Sequence, residues 1–245
     1  MRCLPVAIIA AFMSLPLAAQ DDQHARWRIA LGLGAGNLDF DEDNTARDDD
    51  ATAGAFRLGF EGTSGAGFGG GLRLESFAAS EMRLGAGTDY DVGMGSMFGH
   101  FTYRARAHRF AMPLRVGLLV NSLTLDNTAV DAEQTYLSAG LYLEAAPEFT
   151  LVRRGSTEWT LYGEAGLGSG STMVEIDNDS REWDSSTGFA GLEFGTRLYL
   201  GVCELSAAFV SRWQSMDRTD PDGGVTLPGY DASFSGFWLG FGIVF

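Results

Sequence analysis

The chain has 245 residues and a net charge of −15, and all 17 of its basic residues are arginine. No basic stripe exists to displace counter-ions from a phosphate backbone, which excludes nucleic-acid binding. Apolar residues make up 45% of the sequence and glycine supplies 33 positions, with few prolines and no helical periodicity, a composition that points to many short strands.

Arg2, the apolar run over residues 6–17, the small pair Ala18-Ala19 and the polar Gln20-Asp21-Asp22 read as a cleaved signal peptide over residues 1–19. The run is too short to cross a bilayer as a helix. Residues 20–245 are then expected to form one exported domain. Its only cysteine is Cys203, so no internal disulfide can stiffen it; a closed barrel, which has no edge, is another source of rigidity.

From residue 27 onward the dominant pattern has a period of two. Trp27, Ile29, Leu31, Leu33 and Ala35 alternate with Arg28, Ala30, Gly32, Gly34 and Gly36. Phe56, Leu58 and Phe60 alternate with Arg57, Gly59 and Glu61, and Phe68, Leu72 and Leu74 oppose Gly69, Gly71, Arg73 and Glu75. Between residues 92 and 103 the pattern breaks: Val92 and Met94 stand in one phase, Phe101 and Tyr103 in the other. A bulge near Phe98 is expected to reconcile them. The run Phe110, Met112, Leu114, Val116, Leu118 and Val120 follows, with Pro113 expected near a strand end. Further strands centre on Leu141, Leu161, Phe194 and Leu205, and the last carries Phe237, Leu239, Phe241, Ile243 and Phe245. The total is ten.

Connections alternate in length. Residues 37–52, 78–91, 122–134, 169–186 and 214–231 read as long loops rich in Asp and Glu. Residues 63–66, 104–108, a link from Pro147 to Thr157, and Gly201 read as short connections, where Arg104, Arg106, Arg109, Arg153 and Arg154 gather. Short periplasmic turns and long extracellular loops give this rhythm in transmembrane barrels. The expected fold is therefore all-β: a closed antiparallel up-and-down transmembrane barrel of about ten strands, with eight as the alternative.

One face of each strand is apolar; the other is mostly glycine with one or two charges. An arginine facing lipid costs roughly 2–4 kcal/mol at mid-depth, so the charged face must line the lumen. There Arg57, Arg73, Arg115, Arg197 and Arg212 can meet Glu61, Glu75, Glu144, Glu164, Glu193 and Glu204 in an ion-pair network. That network reads either as a structural filling or as the lining of a pore. Trp27, Phe110, Trp159, Trp213 and Phe237 are expected to form interfacial girdles.

The C-terminal Phe241-Gly242-Ile243-Val244-Phe245 resembles the assembly signal of bacterial outer-membrane β-barrel proteins, in which alternating hydrophobics precede a final aromatic; Trp238 departs from it where a polar residue is usual. The pattern as a whole resembles the small OmpA/OmpX-like "porin family" barrels, which usually have eight strands. The resemblance implies integral outer-membrane localisation. Its implied partners are outer-membrane lipid and lipopolysaccharide, with periplasmic chaperones and the barrel-assembly machinery during biogenesis; Phe241, Ile243 and Phe245 would be the assembly signal.

No constellation carries catalysis. Of three histidines, His24 falls in the N-terminal tail, His108 in a short turn, and His100 two residues before Thr102, a spacing common by chance. Omptin-like proteases need acidic pairs and a His near the extracellular rim, and lipid A deacylases a His and a Ser within hydrogen-bond reach. Asp48, Asp49 and Asp50 are weak candidates for a divalent cation, without the spacing of a Ca²⁺ loop; no cofactor is expected. Three functions remain: a structural surface protein or narrow channel with acidic extracellular loops, a small-solute porin with an open Arg/Glu-lined lumen, and, with least support, a lipid-modifying enzyme.

Overall fold

The computed structural model describes residues 26–45, 47–84, 88–127, 132–176, 183–221 and 224–245. The expected signal peptide and the acidic residues Asp177, Asp179 and Asp222 lie outside them. The period-two segments form β1 (Arg26–Glu42), β2 (Asp48–Thr63), β3 (Phe68–Leu84), β4 (Thr88–Ala107), β5 (Phe110–Asn127), β6 (Ala132–Ala145), β7 (Glu148–Arg154), β8 (Thr157–Ile176), β9 (Trp183–Leu200), β10 (Cys203–Met216) and β11 (Tyr230–Val244).

β6 and β7 are two halves of one stave. β5 meets Ala145 at Leu114 and Phe149 at Phe110, and β8 meets the same residues at Ala165 and Leu161, without a change of register. The interruption is Pro147, which has no N–H to give the ladder. Pairing nevertheless carries across: the Ala146 N–H donates to the Pro113 carbonyl at 2.8 Å, and the Gly163 N–H donates to the Pro147 carbonyl at 2.9 Å. With that stave counted once, every strand pairs antiparallel with its sequence neighbours, and β1–β11 closes the ring. The fold is a closed ten-stranded up-and-down barrel. At the seam the Trp27 N–H donates to the Phe245 carbonyl at 2.7 Å and the Phe245 N–H donates back at 3.0 Å.

Three local expectations need correction. The link from Pro147 to Thr157 is mostly strand β7, closed by a turn at Gly155, whose φ of 55° suits a residue without Cβ. Four of the five segments read as long loops are largely strand, β1 for example running to Glu42 and β2 beginning at Asp48, whereas the connection from β10 to β11 stays long. Register shifts lie elsewhere, in β3 between Ala79 and Met82, where Glu81 has φ 62°, and in β7 between Thr150 and Val152, whereas β3 and β4 pair in one register from Tyr103 through Phe98 to Val92. Val92, Met94 and Phe98 all point inward and are buried.

The phase conflict in β4 has a different origin, visible along β1. Trp27, Ile29, Leu31 and Leu33 face outward and are exposed, Leu33 by 68%. Residues 27–35 match the roughly nine residues with which a tilted strand crosses a bilayer. Above them Asn37, Asp39 and Asp41 face outward, while Leu38 and Phe40 are fully buried inside. Alternation continues without a slip, but the polarity of the two faces inverts, as expected where the outer wall leaves lipid and enters water. The staves thus project beyond the membrane on the long-connection side as a water-facing β-barrel with an apolar interior.

Candidate functional site

Charged side chains converge in the lumen, which has two storeys. In the storey nearer the short turns, Arg57 lies 2.5 Å from Glu75 and 2.6 Å from Glu193. Arg212 bridges the same two carboxylates at 2.9 and 3.0 Å. Arg73 joins Glu144 at 2.7 Å, Glu164 at 3.0 Å and Glu75 at 3.6 Å. Arg115 joins Glu144 at 2.6 Å, Glu61 at 2.9 Å and Glu164 at 3.5 Å. Arg197 reaches Glu148 at 2.8 Å, Glu164 at 3.3 Å and Glu204 at 3.9 Å. All eleven residues expected in the lumen meet in this network.

Three more residues belong to it. Arg28 holds Glu204 at 2.6 Å, and Arg104 pairs with Glu148. Arg28 was legible as an inward charge in the alternation of β1; Glu148 was hidden by its place just after Pro147, where a connection was expected. The completed set has seven arginines and seven glutamates, joined without a gap. Burying an ion costs several kcal/mol unless partners and hydrogen bonds compensate; here each carboxylate meets at least one guanidinium fork. Tyr162 adds a hydroxyl that donates to Glu193 at 2.7 Å, and its ring lies 3.6 Å below the Arg197 guanidinium. Tyr142 is buried over the network because Gly166 and Gly191 leave room; a Cβ at either would strike its hydroxyl end.

Above the charges a second storey is apolar. Leu38, Phe40, Phe77, Leu123, Val174 and Phe234 are buried there, with Phe77 and Phe234 ring centroids 4.3 Å apart. Gln214 threads this layer, donating to Ser138 at 2.8 Å and to the Tyr230 hydroxyl at 2.5 Å, and accepting from Asn121 at 3.2 Å. Small cavities within the two storeys, beside Arg73, beside Arg28 and beneath Trp238, measure about 20 Å³ each. That is room for about one water apiece.

His100 lies in the charged storey, stacked on Phe98 with centroids 4.8 Å apart; neither of its ring nitrogens has a hydrogen-bond partner, nor does the Thr102 hydroxyl. Asp48 and Asp50 point outward from β2, cross-strand from Asp41 and Asp39, while the carboxylate of Asp49 accepts the Arg83 N–H at 2.6 Å. Asp231 stands opposite Asp41 on β11. On this water-facing wall above the membrane belt, burial, followed by the charges of Asp48, Asp50 and Asp41, raises the pKa of Asp39; burial, then Asp43 and Asp41, raises that of Asp231. Among the described residues no three His, Cys, Asp or Glu side chains are arranged to hold a metal ion.

The outer wall completes the geometry. Leu239, Leu167 and Phe101 are exposed by 72%, 71% and 78%, an apolar girdle of the kind that faces lipid. Trp27, Phe110, Trp159, Trp213 and Phe237 all face outward on it, as do Phe241, Ile243 and Phe245.

The model of the outer membrane protein beta-barrel domain matches residues 7–245. No curated protein matches the sequence. Solved structures that match include the outer membrane protease OmpT from Escherichia coli, at 10% identity, covering 93% of this chain and 100% of that one with a TM-score of 0.47. The Pseudomonas putida toluene transporter TodX matches at 10% identity over 92% of this chain and 71% of that one, TM-score 0.37. OprG from Pseudomonas aeruginosa matches at 11% identity over 92% and 98%, TM-score 0.26. At such identities and scores these likenesses say nothing about activity. The chain belongs to the outer membrane protein β-barrel domain family and is an integral outer-membrane protein.

Proposed function

We propose that this barrel is a structural surface element of the outer membrane with a closed lumen, rather than a solute pore or an enzyme. The observation that carries the reading is the two-storey filling. A solute entering from the periplasm meets interlocked guanidinium and carboxylate groups, and one entering from outside meets packed Phe and Leu side chains. The cavities beside Arg73 and beneath Trp238, within the filling, have room for about one water each, and a chain of ions cannot pass through spaces of that size. The lumen charges balance, which favours mutual neutralisation over selection of one ion sign. The enzyme reading has little support, because the His100 nitrogens meet no nucleophile or carboxylate at hydrogen-bond distance.

What the protein offers the surroundings is its projecting acidic wall. Asp39, Asp41, Asp48, Asp50 and Asp231 face outward just above the belt, and our reading sets them against lipopolysaccharide head groups. We read them as surface charge attended by diffuse divalent counter-ions, which bridge carboxylates to lipid phosphates. A liposome-swelling assay tests the closed lumen: vesicles holding refolded protein should swell in a small sugar no faster than empty vesicles. Swelling at the rate of a general porin would overturn the reading.

A further inference from the structure

The ion-pair network leaves a group of arginines over. At the periplasmic mouth, just below the charged storey, a cavity of about 480 Å³ is lined by Arg26, Arg104, Arg106, Arg109 and Arg153. Only two carboxylates, Glu148 and Glu158, line it with them, an excess of three positive charges, and both are already engaged. Glu148 is shared by Arg104 and by Arg197 of the network, and Glu158 holds Arg153 at 2.9 Å. Among the described residues no carboxylate pairs with Arg26, Arg106 or Arg109. Arg26 lies with its guanidinium 4.5 Å over the Tyr199 ring, a contact that leaves its N–H edge available. The Nε of Arg104 is buried with no hydrogen-bond partner.

Gathering like charges in a recess is costly, and a protein with a net charge of −15 has no general surplus of arginine that would produce it. The recess is built: Arg26 and Arg28 stand on one face of β1, and Arg104 and Arg106 share the inward face of β4 with Thr102, so the guanidiniums converge on the barrel axis. Guanidinium is the side chain best matched to phosphate, presenting two parallel N–H donors to two oxygens. The volume suits a small molecule and excludes a folded partner. His108 and the outward-facing Phe110 also line the cavity; we take the ligand to arrive from the periplasmic water, and the lipid arm of the test separates that source from a lipid headgroup.

We propose that the periplasmic mouth is a binding site for a soluble anion carrying two or more phosphate groups. The site goes beyond the structural role, since nothing about a closed lumen requires a cationic vestibule.

The test is isothermal titration of tripolyphosphate into the refolded mature protein in an uncharged detergent. A parallel arm measures retention of the protein's mouth arginines by lipid, using nanodiscs of phosphatidylcholine with and without phosphatidylglycerol and reading arginine-side-chain NMR signals. The proposal expects saturable binding that weakens steeply with salt. Binding should fall at least tenfold in the double variant Arg106→Gln/Arg109→Gln and stay unchanged in Arg83→Gln, on the opposite end of the barrel. Both Gln substitutions lie outside the ion-pair network, and heat-modifiable gel migration checks that the variant is folded. Absent or unsaturable binding, equal binding by the double variant, or shifts caused only by phosphatidylglycerol would each overturn it.

Discussion

Glu75 shows what a single residue does in this lumen. Its two oxygens serve Arg57, Arg73 and Arg212 from three different strands, and the residue is only 5% exposed. Removing one partner of a buried pair leaves uncompensated charge, which costs about 3–5 kcal/mol. Urea unfolding of Glu75→Ala in vesicles should therefore show a loss of that size. The contrasting variant is Glu158→Ala at the mouth, where Arg153 is 60% exposed and water already screens the pair; its loss should stay within about 1 kcal/mol. Equal effects for the two would mean that burial does not govern the network. At this scale the sequence was informative because charges in glycine-rich alternation have few places to go. Glu148 escaped notice since Pro147 beside it reads as a break, and only the partner strands show that the ladder continues.

At the scale of the strand, the polarity inversion organises everything above the belt. Period two locates strands by contrast between faces, and β1 keeps that contrast while exchanging which face is apolar. The alternation therefore marked every stave but misjudged where the staves end. Asp39, Asp41 and Asp48 read as loop charge because Asp is poor in strands, yet they sit in paired strands with water outside and Leu38 and Phe40 inside. The same inversion explains β4, where Val92 and Met94 match an apolar interior and Phe101 matches lipid; a bulge was the wrong remedy.

The aspartates pay no part of the packing; they oppose one another across β1, β2 and β11, and like charges directly opposite destabilise a ladder. Since the folded-state pKa of Asp39 is raised above its unfolded value, its unfavourable contribution is absent below the ordinary aspartate range and develops as pH rises through the raised pKa. Asp39→Asn should thus slow amide hydrogen exchange at the β1–β2 tip relative to wild type at neutral pH. The difference should close at acid pH, where both side chains are neutral. A difference independent of pH would show that the effect is not electrostatic.

For the whole molecule, the design is a ring of ten staves filled from both ends by different chemistry. A ring of this size is slightly wider than the eight-stranded barrels whose interiors side chains just fill, and the extra width is taken up by arginine forks below and aromatic rings above. The fold and its closure were readable from alternation, loop rhythm and the C-terminal pattern. The apolar upper storey was not, because a buried Phe inside a water-facing barrel and an exposed Phe on a lipid-facing one look alike in sequence. That storey also separates a closed barrel from a porin. Single-channel conductance of the refolded mature protein in a planar bilayer tests the point most directly. A closed lumen predicts a correctly folded, heat-modifiable protein with no discrete conductance steps, and reproducible steps of uniform size from wild-type protein would contradict it.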